Sequence, residues 1–133
     1  MITAVDTNVL LDVLTADSRF GTASRRALAR CIQEGSLVAC EVVWAETAAA
    51  FPTRKAFART VETIGLAFES LDEPAAALAG LSWRRYRATG GTRRRILADF
   101  LIGAHADLHA DRLLTRDRGF YRSYFARLTV LEP

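Results

Sequence analysis

The sequence predicts an α/β fold built around a parallel sheet. Three observations lead there: short apolar runs of strand length, stretches of helical period between them, and acids standing just past the apolar runs. Strands separated by helices favour parallel pairing with right-handed crossovers. The chain has 133 residues, half of them apolar and 25% charged, which suits one domain spanning residues 1–133. A core for a single sheet with flanking helices fits that length.

Ile2–Val5 reads as a short buried strand, and residues 8–14 as the helix leaving it. In residues 23–34, Ala27, Leu28, Cys31 and Ile32 recur at helical spacing, and Gly35-Ser36 stops the helix. Residues 37–40 form the second strand, and a helix over 42–51 ends at Pro52. Helix 53–65 and a third strand over 66–71 follow. Glu73-Pro74 opens a helix that runs through Trp83 to Arg87, and Gly90-Gly91 breaks it. A long helix is predicted over 92–109, then two last strands at 112–115 and 128–131. No internal repeat, low-complexity tract or linker interrupts this order.

The formal charge is +3 and the pI about 9.3, a basic lean compatible with a polyanionic partner. Lys55 is the only lysine; every other cation is arginine, a bias that phosphate binding or genome composition would each produce. Cys31 and Cys40 show neither metal nor redox spacing and read as buried free thiols of a reducing compartment. The first residues lack the basic start of a signal peptide, and no stretch approaches the ~20 apolar residues of a membrane span. The expected location is the cytoplasm, with no membrane partner.

The chemistry enters at four acids in apolar surroundings. Asp6 closes the first strand, Asp117 follows the strand over 112–115, and Glu46 and Asp99 sit inside largely uncharged helices. An ionised carboxylate facing a core is costly unless it is paired or binds a cation. Open parallel sheets gather their sites beyond the carboxyl ends of the strands, where the strand order reverses. Converging there, the four acids would form a cage of hard oxygen ligands suited to Mg²⁺, or Mn²⁺ as a substitute, and poorly suited to zinc. Such ions acidify water and offset charge on a phosphoryl group, which implies phosphodiester hydrolysis. Each acid has a plainer reading beside this one. Asp6 could cap the next helix, Asp117 could cap or turn, and Glu46 and Asp99 could line the wet edge of amphipathic helices.

At these residues the sequence resembles the PIN-domain ribonucleases, and within them the VapC-like toxins of type II toxin–antitoxin systems. The resembling segments are Val5-Asp6-Thr7-Asn8-Val9-Leu10-Leu11-Asp12, Val42-Val43-Trp44-Ala45-Glu46, residues 97–106 around Asp99, and residues 114–121 around Asp117. Together, in this order, they cover nearly the whole chain. The resemblance implies a PIN-like three-layer α/β/α sandwich around a central parallel sheet. It implies that Asp6, Glu46, Asp99 and Asp117 hold the metal, and that Asn8 and Thr115 orient ligands or water. It further implies a metal-dependent endoribonuclease that cuts structured cellular RNA and inhibits translation. The implied partners are that RNA, a cognate antitoxin whose tail covers the site, and a second copy of the chain. Asp12 and Glu41 are nearby acids that the motif does not need and are read as structural or partner-facing.

Gly90-Gly91-Thr92-Arg93-Arg94-Arg95 would place a cationic rim beside the acidic floor, where Arg93, Arg94 and Arg95 could meet RNA phosphates or remain solvated. Arg116 and Arg118, which flank Asp117, are candidates of the same kind. His105 and His109 have a zinc-like spacing, but Ala106 stands where a zinc-protease motif needs glutamate. Phosphoaspartate enzymes of the haloacid-dehalogenase or receiver type also begin at a strand-end aspartate. They need a second aspartate where this chain has Asn8, and Lys55 is poorly placed for their lysine. An inactive PIN-like fold that only binds RNA or protein is the non-enzymatic alternative, and an intact acidic quartet argues against it.

Overall fold

A computed structural model describes residues 1–90 and 95–133. Five strands, β1 (Ile2–Val5), β2 (Ser36–Ala39), β3 (Leu66–Phe68), β4 (Arg112–Leu114) and β5 (Thr129–Leu131), form one sheet in the order β3-β2-β1-β4-β5. All four pairings are parallel, and β1 sits at the centre. Around the sheet lie α1 (Thr7–Leu14), α2 (Gly21–Glu34), α3 (Glu41–Ala48), α4 (Arg54–Ile64), α5 (Glu73–Ala88), α6 (Leu97–His109) and α7 (Arg118–Tyr124). The expected three-layer sandwich is what forms.

Central strands of a covered sheet carry apolar residues on both faces. Accordingly Val5, Leu37, Leu113 and Leu114 are all within 1% of full burial. One end of the core is aromatic: Phe100 of α6 meets Tyr86, Phe120 and Tyr124 with ring centres 5.2 to 5.6 Å apart. The Phe125 ring lies against Gly103 so closely that a Cβ there would collide with it, so α6 needs glycine at that turn. Gly65 closes α4 at φ 69°, the left-handed cap that glycine takes without strain.

Several boundaries differ from the sequence reading. Strand β3 stops at Phe68 rather than 71, because the Glu41 carboxylate takes the Leu71 N–H (2.8 Å) and the Ser70 hydroxyl and turns the chain aside. Helix α3 ends at Ala48, ahead of Phe51 and Pro52. The helix expected over 92–109 begins at Leu97: Ile96 is in extended backbone (φ −103°, ψ 166°) and its N–H goes to the Asp99 carboxylate instead of into a preceding turn. Residues 92–94 of that expectation lie outside the described residues. Helix α7 was unread, since its seven residues show no clear apolar period.

Candidate active site

Strand order reverses between β1 and β4. The chain runs outward from β1 to β2 and β3, then returns to lay β4 on the other flank of β1. Val5 faces Leu114 in that pair, and the Asp6 N–H extends the ladder to the Leu114 carbonyl at 2.9 Å. Asp6 and Thr115 therefore leave the sheet side by side, at the crevice where open α/β sheets bind ligands.

Asp6 is 6% exposed and occupies the N-cap backbone position of α1, yet its side chain makes no capping bond. Its Oδ2 accepts instead from Thr115 Oγ1 (2.7 Å) and Asn8 Nδ2 (3.3 Å). Thr115 Oγ1 in turn accepts from Asn8 Nδ2 (3.3 Å) and from the Asp117 N–H (3.0 Å). Asn8 Oδ1 takes the Arg116 N–H at 3.2 Å. Asn8 and Thr115 thus hold the Asp6 carboxylate and tie it to the segment that carries Asp117.

The other acids reach the crevice from separate elements. Asp99, half-buried in the first turn of α6, accepts the Ile96 N–H at 3.1 Å. Asp117 precedes α7, makes no capping bond, and pairs with the Arg95 guanidinium. Glu46, exposed on α3, is held at Oε1 by Thr7 Oγ1 at 2.8 Å. Burial, the largest influence, raises the Asp6 pKa; the Thr115 and Tyr121 hydroxyls oppose this, and repulsion from Asp99 adds to it. The Asp99 pKa is also raised, again first by burial and then by Asp117, against the Ile96 N–H and Arg95. Asp6, Asp99 and Asp117 therefore share one field, while Glu46 is tied to the residue after Asp6 by the Thr7 hydroxyl.

Two participants escaped the sequence reading. Thr7 ties Glu46 to the strand end that bears Asp6. Tyr121 is 1% exposed and presents its phenol to Asp6, with Asp99 and Asp117 close enough to add their repulsion. Burial first, and these charges next, push that phenol well above 10, so it remains an O–H donor. Tyr121 lies four residues after Asp117, one helical turn away, a signal readable only once α7 is known.

Of the arginines, Arg93 and Arg94 lie outside the described residues. Arg95 faces the acids directly. Arg116 turns away: Nε and Nη2 grip the two Asp12 oxygens at 2.7 and 3.1 Å, and the guanidinium covers Phe20 at 4.0 Å. Asp12 also accepts from Ser24 Oγ at 2.7 Å, which makes it a structural acid. Arg118 is exposed, with Nε 3.5 Å from Glu132 Oε2. The histidines lie elsewhere, at the far end of α6. His105 is buried, and His109 Nε2 approaches Asp72 Oδ2 at 2.9 Å, though out of line for a hydrogen bond. A cavity of about 520 Å³ between α3 and α4, lined by Trp44, Phe51 and Phe57, contains none of the site residues.

The donors at the crevice are carboxylate, hydroxyl and amide oxygens, the ligand type that Mg²⁺ and Mn²⁺ take. Two of the acids have pKa values raised by burial and mutual repulsion, a condition that a divalent cation relieves. By chemistry the residues fit such an ion. Among the described residues, however, no three acids stand together as a finished cage. Glu46, Asp99 and Asp117 each rest on a local partner: Thr7, the Ile96 N–H and Arg95.

Similar folds appear among solved structures. VapBC2 of Rickettsia felis, bound to a promoter DNA fragment, superposes with a TM-score of 0.73 at 16% identity, covering 99% of this chain and 98% of that one. VapBC-1 of nontypeable Haemophilus influenzae gives 0.72 at 18% identity, over 99% and 98% of the two chains. FitAcB of Neisseria gonorrhoeae gives 0.67 at 23%, over 98% and 96%. No curated protein sequence matches. The PIN domain sequence pattern matches residues 3–126, a span that includes all four acids, and the chain belongs to the PIN domain family.

Proposed function

We propose that this chain is a metal-dependent endoribonuclease that acts as the toxin of a toxin–antitoxin pair, cutting structured cellular RNA and thereby inhibiting translation. The observation that carries the nuclease reading is the shared field of Asp6, Asp99 and Asp117 at the β1–β4 switch point. Family membership supports it, because PIN domains are generally nucleases. Asp6, Glu46, Asp99 and Asp117 would hold Mg²⁺, or Mn²⁺ in its place. When bound, the ion offsets negative charge on the phosphoryl group and eases deprotonation of water.

The chain's own residues prepare that chemistry. Thr115 and Asn8 hold Asp6 Oδ2 and so fix the orientation of its carboxylate. The buried Tyr121 O–H faces the same carboxylate from α7. Arg95, which pairs with Asp117, and the exposed Arg118 are proposed to meet RNA phosphates, with Arg93 and Arg94 proposed for the same task. Arg116 would reach a phosphate only by leaving Asp12.

The toxin role and an antitoxin partner rest on the likeness to VapBC and FitAcB, and pairing of the chain as a homodimer is proposed beside them. Two experiments test the proposal. Purified protein should cleave structured RNA with Mg²⁺ or Mn²⁺ and not with chelator, and Asp99→Asn should cut orders of magnitude more slowly while remaining folded. Cleavage by Asp99→Asn at the wild-type rate removes that residue from the mechanism, and no metal-dependent cleavage by any preparation favours the binding-only alternative. Separately, expression should arrest bacterial growth and the neighbouring small gene should rescue it; unimpeded growth with soluble protein present counts against the toxin role alone.

A further inference from the structure

Arg95 lies just ahead of α6 and is engaged on two sides. Its guanidinium is ion-paired to Asp117, and its face covers the Phe120 ring at 4.3 Å from the centroid. Only 29% of the side chain remains exposed, and the partner Asp117 is 30% exposed, so the pair sits in the mouth of the crevice rather than out in solvent. Asp99 is the next acid within its field. A positive charge of the chain itself is therefore paired with one of the four proposed metal ligands and lies within the field of a second.

We propose that Arg95 is the site's internal counter-cation: it occupies the seat between Asp99 and Asp117, so that a divalent ion and the Arg95–Asp117 pair exclude one another. This rests on the reading of the acids as metal ligands. Asp117 can serve as a ligand only by giving up the guanidinium, and a doubly charged ion would repel a guanidinium left beside it. Phe120 gives the guanidinium a second hold by cation–π attraction, so Arg95 can release Asp117 without leaving the crevice. A freed planar fork beside the metal is placed for a phosphate oxygen, the geometry that arginine matches best. Metal entry and phosphate capture thereby become linked: the ion that completes the acidic site also liberates the cation that grips the substrate. Linkage of this kind is reciprocal and typically changes affinities several-fold to a hundredfold.

The proposal gives Arg95 opposite effects on two ligands, which a plain structural ion pair or a plain RNA contact would not. Calorimetric titration of Mn²⁺ into chelator-treated Arg95→Met should show binding about tenfold tighter than wild type, within the range of such couplings. Arg95→Lys should lie between, and the same Arg95→Met protein should bind RNA more weakly. Mn²⁺ affinity of Arg95→Met equal to or below wild type overturns the proposal. A second readout uses the wild-type protein: Mg²⁺ should shift the Arg95 Nε–H resonance, assigned by its absence from Arg95→Lys, with the calorimetric midpoint. A resonance unmoved at saturation also overturns it. Asp99→Asn separates the two readings. If it binds Mn²⁺ as wild type does, or if wild type binds none, the metal-site reading itself fails and this proposal falls with it.

Discussion

Thr115 Oγ1 donates to Asp6 Oδ2 at 2.7 Å across the seam between β1 and β4, and both residues are sealed from solvent. The same hydroxyl oxygen accepts the Asp117 N–H, so one side chain orients two of the acids. Thr115→Val preserves shape and leaves both groups without their partner. We expect a stability loss of about 1–3 kcal/mol by urea titration, together with slower RNA cleavage. Thr115→Ser should recover most of both. Full activity in the valine variant would sever the link.

Asp12 and Arg116 form a two-point ion pair whose acid is only 4% exposed. Removing one member strands a buried charge, which is far costlier than losing a surface pair. Arg116→Ala, which strands the buried Asp12 carboxylate, should lower stability by about 3 kcal/mol without altering the metal affinity of the protein that remains folded. A loss under about 0.5 kcal/mol, the scale of an exposed pair, would mean that the pair is loosely made.

His105 supplies a pH signature independent of the acids. Burial, then His109, lowers its pKa below 6.5, against the milder pull of Glu69 and Glu41. The folded protein therefore holds this imidazole neutral where the unfolded chain would protonate it. Its stabilising contribution is complete above pH 6.5 and is lost as pH falls from there toward the folded value. Denaturant titrations of wild type should show an acid limb of up to about 1.4 kcal/mol per pH unit from this group. His105→Gln should flatten that limb, and parallel limbs for the two proteins would exclude His105 as its source.

Arg118 is exposed and its link to Glu132 is long. If it meets an RNA phosphate, Arg118→Ala should reduce the slope of log affinity against log salt by about one unit while leaving the melting temperature within about 1 °C. An unchanged slope makes it a solvated bystander.

The elements that carry the acids were legible in the sequence for physical reasons. Asp6 and Asp117 follow apolar runs, and Glu46 and Asp99 interrupt apolar helices, so each is conspicuous by its cost. What could not be read is where a side chain goes once the chain closes. Arg116 looked like an open cation beside Asp117, but its partner Asp12 is 104 residues away. Tyr121 stood within a quoted motif without a role because α7 has too few residues to announce its face. The start of α6 was misplaced because Asp99 withdraws the Ile96 N–H from the helix, a competition of hydrogen bonds that periodicity does not register.

The central strand is made first and satisfied last. β1 finds β2 after one intervening helix pair, but the Thr115 that completes Asp6 lies 109 residues further along. At ordinary rates of synthesis, roughly 5–20 s pass between the two residues, at about 5–20 residues per second. Throughout that interval the nascent chain has one flank of its middle strand unpaired and no Asp117. Long-range strand pairing of this kind also slows folding after synthesis, since loop closure precedes the contacts that reward it. A chain halted by a premature stop ahead of β4 leaves Asp6 at a bare sheet edge. The Asp6–Asp117 side of the proposed site is consequently out of reach of any fragment that stops short of Asp117.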